Sequence, residues 1–274
     1  MENGAGILKL RWSKRLYQSG LIGILVCLLL LPLGAEEESH KEAKKYSSST
    51  SFSCVLVKGN SQEFTFSFDT EQNLKFIRNS FNLKAGLIYS HSDKELRSEV
   101  LYSHLKYGRR LNSRAFLLLL LRTERNKLAG YNYRFSFTGG GGYSWLKTNR
   151  VEISSEASFG WSSENNTKVI SLLSSEDELY PKEVKITSSF LASFISSKLT
   201  AEISSSARLV CQPSVFINMS RLRDYRLDSY LALSVSISRY FALKSSIKII
   251  YYHQPVTGYK NMDSFFLSSI VLKI

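Results

Sequence analysis

Four prolines in 274 residues leave few places where the chain is forced to break. Helix formers are also scarce. Alanine is rare, while serine, β-branched and aromatic residues dominate, a composition that disfavours helices and suits long strands. Beyond residue 31 no apolar run approaches the roughly 20 residues that a membrane-crossing helix needs; Leu117–Leu121 is only five leucines. The chain has three cysteines and four histidines, His40, His91, His104 and His253, with no His-x-x-x-His or paired-cysteine spacing. A zinc site is therefore not indicated, and no cofactor motif is present. There is no Gly-x-Ser-x-Gly elbow either, which removes the commonest signature of a serine hydrolase.

What is there begins at the amino terminus. Lys9, Arg11, Lys14 and Arg15 form a basic stretch, Leu21–Leu31 an apolar one, and Pro32-Leu33-Gly34-Ala35 leads into Glu36-Glu37-Glu38. These are the three parts of a secretory signal, with cleavage expected near Ala35. Removing residues 1–35 takes away four basic residues and Glu2, so the formal charge falls from +13 to +10. A basic exported chain suits anionic lipid headgroups or lipopolysaccharide, whereas nucleic acid does not fit that compartment. Residues 36–47 are polar, without alternation, and read as a periplasmic tail.

From there on, periodicity decides the class. Phe64, Phe66 and Phe68 alternate with Thr65, Ser67 and Asp69; Phe81, Leu83, Leu87 and Tyr89 alternate with Asn82, Lys84 and Ser90. The same holds for Tyr131, Tyr133, Phe135 and Phe137, for Val151, Ile153, Ala157, Phe159 and Trp161, for Ile203, Ala207 and Leu209, and for Leu227, Leu231, Leu233, Val235 and Ile237. Period-two alternation over about ten residues, with charge on one face, is the pattern of a transmembrane barrel. Strands of a soluble sandwich usually run only about five or six residues. The spacing predicts an all-β, antiparallel transmembrane β-barrel over 48–274, in the cell outer membrane. Its twelve strands fall near 48–57, 62–70, 74–90, 98–109, 113–125, 130–146, 149–162, 183–196, 198–211, 224–238, 241–254 and 262–273, with ten or fourteen as alternatives. Turns on the amino-terminal side are short, and the opposite loops, including 163–182 and 212–223, are longer. Cys54 and Cys211 fall on non-neighbouring strands, facing lipid, so two free thiols are expected.

Strand parity places Arg122, Glu124, Arg134, Glu152 and Glu156 on the face opposite the aromatics, on three neighbouring strands. That face must be the lumen, because a charge at the lipid midplane costs about 2–4 kcal/mol. Neighbours across strands lie about 5 Å apart, so arginine–carboxylate pairs are expected among these five. They serve either as a network bracing the barrel or as a charged constriction that filters solutes. Gly139–Gly142 lies inside a strand with no helix after it, where glycine permits a bend or close packing rather than phosphate binding. His253 with Ser264 is the best candidate acyl-transfer pair, against a simpler place for His253 in an aromatic girdle with Tyr251 and Tyr252.

From Gly59 onward the chain resembles the YdiY-like family of salt-induced outer-membrane proteins, a domain of unknown function. The residues that carry the likeness are Arg122–Arg125, then Gly130 to Arg134, Gly139–Gly142 with Tyr143, Glu156 with Gly160, and Pro255, Gly258 and Asp263. Asn126 stands where that family often has aspartate, and Ile274 ends the chain where an aromatic residue is usual. The resemblance implies an outer-membrane barrel inserted by the outer-membrane assembly machinery, and it carries no reaction. The expected function is a non-enzymatic, porin-like barrel, a narrow channel or a salt-responsive envelope component. The alternatives are an outer-leaflet lipid-modifying enzyme and a closed structural or ligand-binding barrel.

Overall fold

The computed structural model describes residues 45–274 apart from 59–61, 93–94, 174–178 and 258; the expected signal peptide, tail residues 36–44 and His40 lie outside the described residues. Twelve strands follow one another: β1 Lys45–Lys58, β2 Gln62–Lys75, β3 Asn79–Ser92, β4 Glu95–Arg110, β5 Ala115–Asn126, β6 Tyr131–Lys147, β7 Val151–Leu173, β8 Leu179–Glu202, β9 Ala207–Asn218, β10 Tyr225–Ser236, β11 Phe241–Tyr252 and β12 Met262–Lys273. Each pairs antiparallel with its neighbours in sequence, and β12 returns to pair with β1, closing the barrel. The strand count and the all-β antiparallel class agree with the sequence pattern.

Closure is achieved over a short seam. Only Ser49–Phe52 stand opposite Ile270–Lys273, with two further backbone bonds between Ser48 and Ile274 at 2.9 and 3.0 Å. The β7–β8 ladder, by contrast, runs from Val151↔Ala201 to Leu173↔Leu179.

Both described chain ends meet at this seam, which defines a terminal end of the barrel. Its turns, 76–78, 111–114, 148–150, 203–206 and 237–240, have three or four residues each. The opposite, loop end carries the β7–β8 hairpin, residues 219–224, and the nine residues between β11 and β12.

Three sequence boundaries need correction. The first strand begins at Lys45 rather than 48. The expected loop 163–182 is mostly strand, because β7 and β8 run on past the expected ends; beyond the lipid a hairpin has water on both faces and needs no alternation to declare itself. The turn expected at residue 197 lies at 203–206, where the Ser204 hydroxyl accepts N–H bonds from Ser206 (3.3 Å) and Ala207 (3.0 Å). Ser196, next to the expected turn, is buried on the lumen wall within β8.

Period two sorts the side chains as closure demands. Leu117, Leu119, Phe137, Phe159, Trp161, Leu231 and Leu243 are exposed on the outside, while Leu118, Leu120, Ser136, Thr138, Ser158 and Ser162 are buried inside. The leucine run is thus split between two environments. An exterior so dense in large apolar side chains is a lipid-facing surface, not a watery one. Among several close approaches that glycine permits, two shape this wall. A Cβ at Gly140 would stand 2.0 Å from the Ala157 carbonyl oxygen of β7, and one at Gly86 would overlap the Tyr102 ring. Because Gly86 lacks a side chain, Tyr102 lies flat across β3 and its hydroxyl bonds Asp69 of β2. Cys54 and Cys211 are free and lie on strands that do not pair with each other.

Leu119 is 46% exposed at the middle of β5. Leu119→Arg is expected to lower the free energy of folding into vesicles by up to about 2–4 kcal/mol. Urea titration of vesicle-folded protein measures this; an unchanged stability would mean that the exterior does not meet lipid.

Candidate functional site in the barrel lumen

The lumen is built from the inward residues of every strand, and it changes character along its length. At the loop end it is filled. Tyr131 stacks on Tyr252 with ring centroids 5.7 Å apart, and the Asn126 amide donates to the Tyr252 hydroxyl at 3.0 Å. Ile250, Ala129 and Val256 complete this cluster, with Tyr259 packed against it. Asn126 also accepts the Ala129 N–H at 3.3 Å, capping the short 3-10 turn Lys127–Ala129. An aspartate there could accept that N–H but could not, when ionised, donate to Tyr252. Tyr252 is 2% exposed. It belongs to the filling of the lumen and not, as its position in sequence suggested, to a girdle around the rim.

Below this cluster sit three arginines. Arg134 bonds Glu164 through Nε at 2.8 Å and Nη2 at 2.7 Å. Arg226 reaches Glu124 across the barrel at 2.6 Å and its own strand's Asp228 at 2.8 Å. Arg122 stands 4.0 Å from Asp228, and its Nη1 is buried without a hydrogen-bond partner among the described residues. Each cation also lies near an aromatic face: Arg122 over Phe194 at 4.3 Å, Arg134 over Tyr131 at 4.2 Å, and Arg226 toward Tyr252 at 5.9 Å. Tyr131 and Tyr252 are those of the loop-end cluster, whereas Phe194 belongs to a second inward apolar cluster, Leu118, Leu120, Phe190, Ala192, Phe194 and Phe216, that the sequence pattern did not disclose.

The middle and terminal end are hollow. A cavity of about 250 Å³ is lined by Asp69, Tyr102, His104, Arg122, Glu124, Glu156, Arg226, Asp228, Lys244 and Lys248, among others. A second, of about 300 Å³, opens among the terminal-end turns and includes Glu71, Lys84, Lys106, Glu152 and Lys198. The two share Glu71, Asn82, Lys84, Lys106 and Gln212, so they adjoin, with these side chains between them.

The five residues singled out by parity are therefore distributed differently from the expected cluster. Arg122 and Glu124 stay together in the middle of the lumen. Arg134 lies nearer the loop end and takes Glu164, not Glu152 or Glu156. Glu156 instead pairs with Lys106 of β4 at 2.9 Å, and Glu152 lies in the terminal-end cavity. Arg122, Arg134, Glu152 and Glu156 do not pair with one another across β5–β7 among the described residues. Glu164 was missed because it fell in the stretch read as loop. Lys106, Asp69 and Tyr102 were missed because their strands were read chiefly for their apolar faces.

The candidate acyl-transfer pair is not assembled. The His253 ring stacks on Tyr225 at 4.6 Å and approaches the Tyr251 hydroxyl at 3.5 Å, while Ser264 follows the outward register of Met262 and Phe266.

A family model described as "Protein of unknown function, DUF481" matches residues 50–274. The chain belongs to this family. No curated protein matches it. Among solved structures, this DUF481 chain is similar to the NanC porin at 9% identity and TM-score 0.40, over 84% of this chain and 98% of that one. It is similar to the translocator domain of autotransporter NalP from Neisseria meningitidis at 10% and 0.40, over 93% and 95%. It is also similar to an outer membrane channel from Pseudomonas putida F1 at 7% and 0.43, over 89% and 98%. The DUF481 barrel itself is defined by its own strand pairing.

With side chains only 7% and 6% exposed, Arg134 and Glu164 form a buried pair. Arg134→Met strands the Glu164 carboxylate and is expected to cost about 3–5 kcal/mol, whereas Arg134→Met with Glu164→Gln recovers much of the loss. The melting temperature of the heat-modifiable folded band in detergent reads both. Equal stability of the single variant and wild type would show that the pair does not hold the lumen.

Proposed function

We propose that this barrel stands in the outer membrane as a non-enzymatic, narrow conduit for small polar solutes, entered from the terminal end and throttled at the loop end. The observation that carries the reading is the pair of adjoining charged cavities that reach from the terminal-end turns to Arg122, Glu124 and Asp228 in mid-barrel. A barrel meant only as a wall has no use for a hollow, charged interior, since intramembrane charge is costly and tends to mark solute paths. In this reading the terminal end faces the periplasm, because an exported chain inserted by the assembly machinery keeps its short turns on that side. Lipopolysaccharide and outer-membrane lipid then surround the apolar exterior. The Arg134–Glu164 and Arg226–Glu124 pairs, with the Tyr131–Tyr252 stack, form the constriction. A salt-responsive role is what the likeness to the YdiY-like family suggests; it does not follow from the throat, whose buried ion pairs salt screens little.

The second reading is a closed barrel, favoured by the same loop-end filling. Planar-bilayer recording separates the two. A conduit gives small, defined conductance steps, and Tyr252→Ala, which removes one of the stacked rings, gives larger ones. Silence from both proteins would leave the closed barrel standing.

A further inference from the structure

The terminal-end vestibule holds more positive charge than its carboxylates can balance. Its lining contains eight lysine or arginine side chains against two acids, Glu71 and Glu152. Of those acids, Glu71 is already engaged by Lys84 at 3.4 Å and by the Asn82 amide at 2.9 Å. Lys106 uses its bond on Glu156, higher in the lumen. Lys198 of β8 makes no ion pair among the described residues; Lys84 and Lys106 repel it, while Glu71, itself already paired, and Glu152 attract it only from beyond contact. Three strands, β3, β4 and β8, thus bring three ammonium groups to one cavity of about 300 Å³. Like charges gathered between low-dielectric walls repel one another and focus a field that draws anions in. An arrangement of this kind is relieved when an anion with several charged groups sits among the donors.

We infer that the vestibule is a binding site for a small soluble polyanion bearing two or more carboxylate or phosphate groups, held by Lys84, Lys106 and Lys198. Gln212 and Thr200, on the same lining, supply neutral donors beside them. The cavity lies at the small end of the range for ligand pockets, which fits a compact solute. Its mouth lies among the terminal-end turns, so the ligand enters from that side. The site stands whether or not anything passes the loop end, so it is separable from the conduit reading.

Calorimetric titration of the folded barrel in neutral detergent at low ionic strength tests it, with citrate and inorganic pyrophosphate as probes and acetate as the singly charged control. Citrate or pyrophosphate is expected to bind one per barrel, with acetate far weaker. Lys198→Gln should weaken binding about tenfold, the loss of one charge-assisted bond, while Lys198→Arg retains it. Lys260→Gln, which removes an exposed charge at the loop end, should leave binding unchanged. Should Lys198→Gln not fold, Lys84→Gln carries the same expectation. The inference is overturned if neither polyanion binds, if acetate binds as tightly, or if Lys260→Gln weakens binding as much as the vestibule variant.

Discussion

In lipid no water is available to bond a backbone amide, so every N–H and carbonyl in the membrane must find a partner within the protein. For a chain of strands the solution is a sheet without edges. The pairing of β12 with β1 meets that requirement, and it does so over the four register pairs from Ser49↔Lys273 to Phe52↔Ile270. Everything else follows from closure. Once the sheet is a cylinder, alternate residues face lipid or lumen, and each strand carries two different selection pressures at a spacing of one residue. The outside becomes Leu119, Phe137 and Trp161; the inside becomes Leu120, Ser136 and Ser162.

The lumen then has to accommodate whatever the inward positions carry. Desolvating an arginine and a carboxylate together is unfavourable unless geometry is good and the remaining donors are met. Arg134 and Arg226 satisfy that with short ion pairs and with aromatic faces beneath them. At the loop end the charges balance and the aromatic rings close ranks. At the terminal end the balance fails, because lysines from three strands share one space with few acids. A single closed wall thereby supports two electrostatic environments, a neutral throat and a positive vestibule, and the functional proposals depend on that contrast.

Much of the fold was legible because alternation is a one-dimensional signal. Phe64, Phe66 and Phe68, or Leu231, Leu233 and Val235, declare both a strand and its outward face without reference to any partner. The site was only half legible. Parity correctly turned Arg122, Glu124, Glu152 and Glu156 inward, but it ranks partners by adjacency along the wall. The contacts that matter cross the barrel: Arg226 of β10 to Glu124 of β5, and Lys106 of β4 to Glu156 of β7. Which residues meet across a lumen depends on strand tilt and cumulative register, and a single sequence does not display those. Glu164 was hidden for a different reason. It sits among Ser162, Ser163, Asn165 and Asn166, a polar stretch that composition assigns to loop, and only the continued pairing of β6 with β7 reveals it as strand. The shift of one turn from 197 to 203–206 has the same origin, since small serines serve equally in a turn and on a crowded inner wall.

The seam is the thinnest point of closure and so the most direct place to test it. In a background of Cys54→Ser and Cys211→Ser, the pair Ser51→Cys and Val271→Cys places two thiols at directly opposed positions on β1 and β12. Directly opposed residues have Cβ atoms about 4.5–5.5 Å apart, close to the reach of a disulfide. Oxidation of the membrane-inserted protein should therefore link the two ends of the chain and shift the mobility of the heat-denatured band. Pairing Ser51→Cys with Leu243→Cys on β11 should give no link. If each single variant folds and the seam pair still does not cross-link, the barrel is not closed by β1 and β12, and the account of its lumen fails with it.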